Sequence, residues 1–285
     1  MNPRRVLRAL RGGALTRRAM RWRFEFRERL SLRVTVPDGS LSYAFRCDSF
    51  TEYTRARTLF SKEPGTVRWI HGEVRPGDVF YDIGANIGVY TIPAAHRVGD
   101  EGRVYAFEPH AVNVKSLLRN VRENGLDAKV TVLSCPLHNA VGFFEFNYND
   151  WTPGSSMSQL EGDLDTLGKP IRPAGTEVKY ASTIDELIEQ GVIEPPSLVK
   201  IDVDGNELQI CQGMRRLLTG EAPPRAVQAE VNPDESEDLH GFLESCGFEM
   251  TDRHYTGDDP SDPQVVHYNA IFRPAGRTAA RVKSA

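Results

Sequence analysis

Three groups of residues in this sequence have the types and spacing that chemistry requires. The first is Tyr81-Asp82-Ile83-Gly84-Ala85-Asn86-Ile87-Gly88, which follows an apolar run and opens a predicted helix near 88–98. Glycines at such a strand-to-helix turn let the backbone approach a ligand closely, and the helix N-terminus favours acceptor groups. The spacing is D-x-G-x-N-x-G rather than G-x-G-x-x-G, which speaks against a dinucleotide pyrophosphate. Asp82, just before the turn, suits a positive amino group better than a phosphate. The second group is Glu108 in Ala106-Phe107-Glu108-Pro109, 24 residues beyond Gly84 at the end of the next predicted strand. A carboxylate in that place accepts both hydroxyls of a ribose. Taken singly, these are a turn glycine and a solvated acid. In this order and context they point to an adenosine-type cofactor.

The third group is Lys200-Ile201-Asp202-Val203-Asp204-Gly205-Asn206-Glu207, running from a strand end into a helix. Strand alternation puts Lys200, Asp202 and Asp204 on one side. Asp204 precedes the helix and, with Glu207 three residues on, can be read as a cap rather than a catalytic group. Asp202 is a carboxylate near the end of a buried strand, which needs a partner or a task. Lys200 would be the partner; a general base, acceptor ligand or metal ligand would be the task. Asp202, Glu230 and Asn232 together offer three oxygens of the kind Mg²⁺ accepts, but that spacing is weakly specific and pairing with local donors is preferred. The seven histidines form no H-x-x-x-H or H-E-x-x-H pair, so zinc is not expected. No G-x-S-x-G elbow is present to suggest a hydrolase. Trp151 either stacks on a ring of the acceptor or anchors its loop, and Ser155 and Ser156 are read as loop residues over the acceptor.

The elements that would hold these groups alternate. Leu30–Val36 and Leu41–Phe45 around Pro37-Asp38-Gly39-Ser40 predict a β-hairpin. Residues 50–74 are predicted helical. Strands are expected at Val79–Ile83, Val104–Phe107, Lys129–Leu133, Phe143–Phe146, Leu198–Val203, Ala226–Val231, Phe248–Thr251 and Val265–Phe272, with helices between most of them. A short helix over Thr183–Gln190 has a capping box in Thr183 and Glu186. Residues 150–178 carry little periodicity and are read as a long loop. Such βαβ alternation gives a doubly wound α/β fold with a mostly parallel sheet.

Composition narrows the function classes. The chain has 285 residues, 40% apolar and 26% charged, as in globular proteins. No apolar run reaches the length of a membrane span, and no secretory leader is read. Four separated cysteines suit a reducing cytosol, so a cytoplasmic location is expected. Residues 1–30 carry ten arginines against Glu25 and Glu28, a net +8, which leaves −12 on the rest. The acidic body argues against nucleic acid. The basic arm, predicted as a weakly amphipathic helix over 1–21, is read as a solvated tail, an RNA-binding arm or a peripheral contact with anionic membrane. Its interleaved Val6, Leu7, Leu10 and Trp22 favour lipid over RNA.

Four blocks resemble the FkbM-type methyltransferases of the class I S-adenosylmethionine-dependent superfamily: Val79–Thr91, Phe107–Asn124, Asn139–Gly142 and Leu198–Glu207. The ending Tyr268–Phe272 is similar as well. The resemblance covers roughly residues 65–273, and its first and fourth blocks are specific together. It implies a Rossmann-like seven-stranded mixed sheet whose last strand is antiparallel. It implies a methyltransferase domain over 65–275, preceded by an extension over 1–64 and followed by a tail. By that likeness Asp82, Gly84, Asn86 and Gly88 line the methionine end of S-adenosylmethionine, Glu108 holds the ribose and Asn139 sits near the adenine. Asp202 and Asp204 are the candidates for catalysis. The activity implied is O-methylation of a hydroxyl on a glycan, a lipid-linked sugar or a secondary metabolite. The alternatives are a catalytically inactive cofactor-binding domain acting through its basic arm and, less favoured, a nucleic-acid methyltransferase.

Overall fold

The computed structural model describes residues 31–161, 172–231, 236–255 and 268–276, together with Trp22. The predicted basic helix, Asn232, the segment 257–263, part of the loop 150–178 and the C-terminal tail lie outside the described residues. A β-hairpin opens the fold, β1 (Leu32–Asp38) and β2 (Leu41–Cys47), paired antiparallel about Gly39. Two helices follow, α1 (Phe50–Arg57) and α2 (Pro64–Glu73). The single helix expected over 50–74 is thus two. Pro64 stands at the start of the second, and a residue before proline is disfavoured in helical geometry, so the chain turns at Thr58–Glu63. Ser49 and Glu52 cap α1 reciprocally.

The central sheet is built from β3 (Val79–Ile83), β4 (Arg103–Phe107), β5 (Val130–Leu133), β9 (Leu198–Ile201), β10 (Ala226–Val231), β11 (Phe248–Tyr255) and β12 (Tyr268–Pro274). Its seven strands run in the order β11-β12-β10-β9-β3-β4-β5, all parallel except β12, which is antiparallel to both neighbours. This is the seven-stranded Rossmann-like mixed sheet that the resemblance implies. The order reverses between β3 and β9, and ligands of open α/β sheets bind at such a switch point, beyond the carboxyl ends of the strands.

Alternate residues face opposite ways, so neighbours in one strand serve two cores. Phe80 and Leu198 point to the side covered by the hairpin, α1, α2, α3 (Thr91–Arg97) and α4 (Ala111–Glu123). Tyr81, Val199 and Ile201 point to the side covered by α5 (Ile184–Glu189), α6 (Glu207–Gln212), α7 (Arg215–Thr219) and α8 (Ser236–Ser245). The residues read as a loop over 150–178 contribute two strands. β6 (Gly142–Tyr148) pairs with both β7 (Gln159–Leu160) and β8 (Gly175–Ala181) in a small separate sheet. Only Ala181 of β8 is buried, so the apolar alternation that betrays a strand is missing there. Thr183 caps α5 by accepting from the Glu186 amide, but Glu186 gives its own carboxylate to Gln190 instead of closing the box. All four cysteines are free thiols. Among the described residues no helix is long and apolar enough to cross a membrane.

The hairpin shares the first core and is fastened to α4 by two asparagines. Asn120, fully buried, accepts from the Arg46 amide at 2.8 Å and donates to the Ile87 carbonyl at 3.0 Å. Asn124 makes the same two-way exchange with Ala44. Asn120→Ala leaves two backbone groups unpaired, so denaturant unfolding should show a loss of about 1–3 kcal/mol.

Candidate functional site at the sheet switch point

Where β3 and β9 part, the backbone closes tightly. Gly84 has φ +78°, and a Cβ there would lie 1.8 Å from the Asp202 carbonyl oxygen, so no other residue fits. The amides of Gly84 and Ala85 donate to the Phe107 carbonyl at 3.0 Å, and the Asp202 amide donates to Ile83 at 3.1 Å. Asn86, also left-handed at φ +50°, donates its amide to Glu108 Oε2 at 2.6 Å. The other oxygen of Glu108 accepts from the His110 amide at 2.8 Å. Burial raises the Glu108 carboxyl to about 7, although these two amides favour its charged form.

Beneath this turn lies a buried charge cluster. Lys200, with no exposed side-chain surface, stands 3.2 Å from Asp82 and 3.3 Å from Asp202. The register of β3 on β9 sets Asp82 directly beside Lys200. Asp82 also accepts from the Thr91 hydroxyl at 2.5 Å, and the Lys200 ammonium lies 5.0 Å from the centre of the Tyr90 ring. Burial disfavours the charged form of Lys200, but Asp82 and Asp202 outweigh it and hold the amine charged. Burial likewise works against Asp202, and Lys200, Lys62 and Arg55 overcome it, keeping that carboxyl below its usual range. Asp82 therefore does not present itself to a ligand's amino group, as its place before the turn suggested. It is fully buried, and its partners are Lys200 and Thr91.

Asp204 is not the cap of the helix that follows. Glu207, at the start of α6, takes the Val203 and Gly205 amides on its two oxygens at 3.1 Å. Asp204, at φ +64°, instead accepts from the Met157 amide at 2.6 Å. It thereby ties down a strap, Asp150–Ser158, that crosses the cleft. The Ser155 carbonyl receives the side-chain amides of both Asn86 and Asn113 at 2.9 Å, and Pro153 accepts from Ser49 at 2.6 Å. Trp151 stacks on Tyr148 at 4.2 Å and donates to Ala174, so it anchors this strap.

Three cavities share Gly84 as a wall. One of about 380 Å³ is apolar, between Phe107, Pro109, Leu137, Phe146, Val203 and Ile210. The largest, about 660 Å³, carries Asn86, Glu108, Ser155, Asp202, Asp204 and Glu230. The third, about 370 Å³, adds Arg55, Leu59, Lys62, Glu63 and Tyr90. Burial, reinforced by Asp202 and Glu207, pushes Glu230 up to about 9, so it is protonated at neutral pH. Asn139 is brought to none of them. It is exposed and donates to Gln212 at 2.7 Å. Asp202 and Glu230 share a cavity, but among the described residues no three His, Cys, Asp or Glu side chains are grouped to hold a metal. Arg55 and Lys62 were not foreseen, because they precede the recognisable blocks and have no spacing of their own.

The family model of the methyltransferase FkbM domain matches residues 82–250, more than half of the chain. The chain belongs to the FkbM methyltransferase family. It is similar to the hexuronic acid methyltransferase AglP of Haloferax volcanii, with 30% identity over 182 residues, 61% of this chain and 65% of that protein. It therefore spans just under two thirds of that relative. It is 28% identical over 232 residues to the 31-O-demethyl-FK506 methyltransferase FkbM of Streptomyces tacrolimicus, covering 72% of this chain and 85% of that one. Among solved structures, a methyltransferase FkbM from Methylobacillus flagellatus KT aligns over 73% of this chain and 50% of its own, at 16% identity and a TM-score of 0.46. By its description, the domain that defines this family is a methyltransferase domain.

The cluster around Lys200 yields a test independent of substrate. Lys200→Met removes a cation that both aspartates touch. Breaking a buried pair from one side is destabilising by about 3–5 kcal/mol, which chemical denaturation should register.

Proposed function

We propose that this FkbM-family enzyme transfers a methyl group to a hydroxyl of a glycan or a secondary metabolite. The observation that supports this reading most directly is the Asp202 carboxylate, beside Lys200, in the wall of the same cleft that carries Glu108. The relatives named above act, by their names, on a hexuronic acid and on an FK506 precursor.

The cleft suits the cofactor. The apolar cavity between Phe107 and Ile210 fits an adenine, and Glu108 stands where a ribose diol would meet it. The Asn86 side-chain oxygen is buried with no partner among the described residues, an acceptor left for a donor on the ligand. The bound cofactor supplies a methyl group on a positively charged sulfur, which keeps the bonding electron pair as a neutral thioether when an acceptor oxygen takes the methyl. The chain's part is alignment, exclusion of water and removal of one proton. Asp202, ionised at neutral pH, takes the hydroxyl proton as the new carbon–oxygen bond forms. Glu230 already carries a proton and cannot serve as that base, but it can donate a hydrogen bond to the acceptor.

Transfer of labelled methyl from S-adenosylmethionine to fractionated glycans, lipids and secondary metabolites tests the activity. Asp202→Asn should retain S-adenosylhomocysteine binding while turnover falls by about 10²-fold or more. Undiminished turnover in the folded variant removes Asp202 from the chemistry, and loss of activity in EDTA restored by Mg²⁺ would favour a metal instead.

A second expectation concerns pH. A ribose diol is best accepted by ionised Glu108, and burial places that ionisation near 7. Below that pH Glu108 is protonated and accepts less well. S-adenosylhomocysteine affinity, measured calorimetrically, should thus rise between about pH 6 and 8 and level off above, and Glu108→Gln should flatten the profile.

A further inference from the structure

Arg55 and Lys62 lie outside the residues matched by the family model, yet they border the cleft that those residues build. Arg55 is in the last turn of α1 and Lys62 in the connector to α2. Both line the large polar cavity and the smaller one beside Tyr90, next to Gly84, Asn86 and Asp202. The Arg55 Nε donates to the Gly154 carbonyl of the strap, its one hydrogen bond among the described residues. The guanidinium is thereby fixed in place with both terminal amino groups available. The Lys62 ammonium lies 2.9 Å from Glu63 and is half exposed, so it too can reach into the cleft.

We infer that Arg55 and Lys62 are a carboxylate-binding pair contributed to the transfer site by the N-terminal helices. A planar guanidinium fork matches the two oxygens of a carboxylate, and an ammonium beside it adds a mobile charge. The surroundings select against a phosphate. Glu63, Asp202 and Asp204 stand in the same two cavities and would repel a doubly charged group more than a singly charged one. The inference rests on the methyl-transfer reading above. In that reaction two molecules can bring a carboxylate here: the cofactor, through its amino-acid end, and an acceptor of the uronate type.

Calorimetry on the full chain separates them, using wild type, Lys62→Gln and the double variant Arg55→Gln/Lys62→Gln. The probes are S-adenosylhomocysteine, methylthioadenosine, which lacks the amino-acid end, and methyl glucuronide against methyl glucoside. Loss of a charge-assisted contact corresponds to about a tenfold weakening or more. S-adenosylhomocysteine weakened by that much, with methylthioadenosine unmoved, assigns the pair to the cofactor. S-adenosylhomocysteine unmoved, with the preference for glucuronide over glucoside abolished, assigns it to the acceptor. Lys62→Gln, a change at an exposed side chain, should show a partial effect in the same direction without disturbing the fold. Both probes unmoved by the double variant overturns the pair. Failure of wild type to bind methylthioadenosine overturns the cofactor reading instead, and the glucuronide comparison, run without nucleoside, still decides the pair.

Discussion

The buried ammonium of Lys200 is the charge on which the rest of the cleft depends. Two aspartates from strands far apart in sequence, Asp82 and Asp202, are drawn to it under the turn at the sheet's switch point. The cation holds Asp202 in its charged form, and the charge on Asp202 acts on its neighbours. Asp202 stays charged, while Glu230 and Glu207, which no such cation touches, are pushed to about 9 and 8 by burial and by the charge on Asp202. A row of neighbouring acids is sorted into one that stays charged and two that are pushed toward their protonated forms.

That sorting matters because the cleft is assembled from three distant pieces of chain. The sheet edge supplies Gly84, Glu108 and Asp202. The first N-terminal helix and the connector after it supply Arg55 and Lys62, and the hairpin that precedes them is seated by Asn120 of α4 and by Asn124, which caps its end. The strap supplies Ser155 and is fastened to both of the other pieces, at Asn86 and Asp204 on one side and Ser49 and Arg55 on the other. The N-terminal helices are thus part of the same binding surface as the sheet and share its core.

Much of this is legible in the residues. Val79–Ile83 reads as a strand because it is short, apolar and followed by a turn rich in glycine, and the structure returns the same bounds. Glu108 stands out because an acid ending the strand after a glycine-rich turn is within reach of whatever that turn holds, and the structure ties the two together through the Asn86 amide. What escapes is cross-strand. Lys200 can be paired with Asp202 from alternation within one strand, but its contact with Asp82 depends on the register of β3 on β9, which neither strand carries by itself. Asn139 lies in the connection between β5 and β6 rather than at a strand end, and its side chain turns to Gln212 at the end of α6. Asp204 followed by Glu207 imitates a capping box, whereas the geometry reverses the roles because Asp204 is left-handed.

Three left-handed residues line the cleft, and they are of two kinds. At Gly84 there is no volume for a second carbon, so any lineage that keeps this sheet keeps that glycine, whether or not it still transfers methyl groups. Asn86 and Asp204 occupy similar backbone conformations, where glycine would be the less strained choice, and each spends its side chain on the strap. A descendant released from its reaction would be free to relax those two positions while holding the first. Within such a lineage, Gly84 reports survival of the fold, and Asn86 and Asp204 report survival of the enzyme.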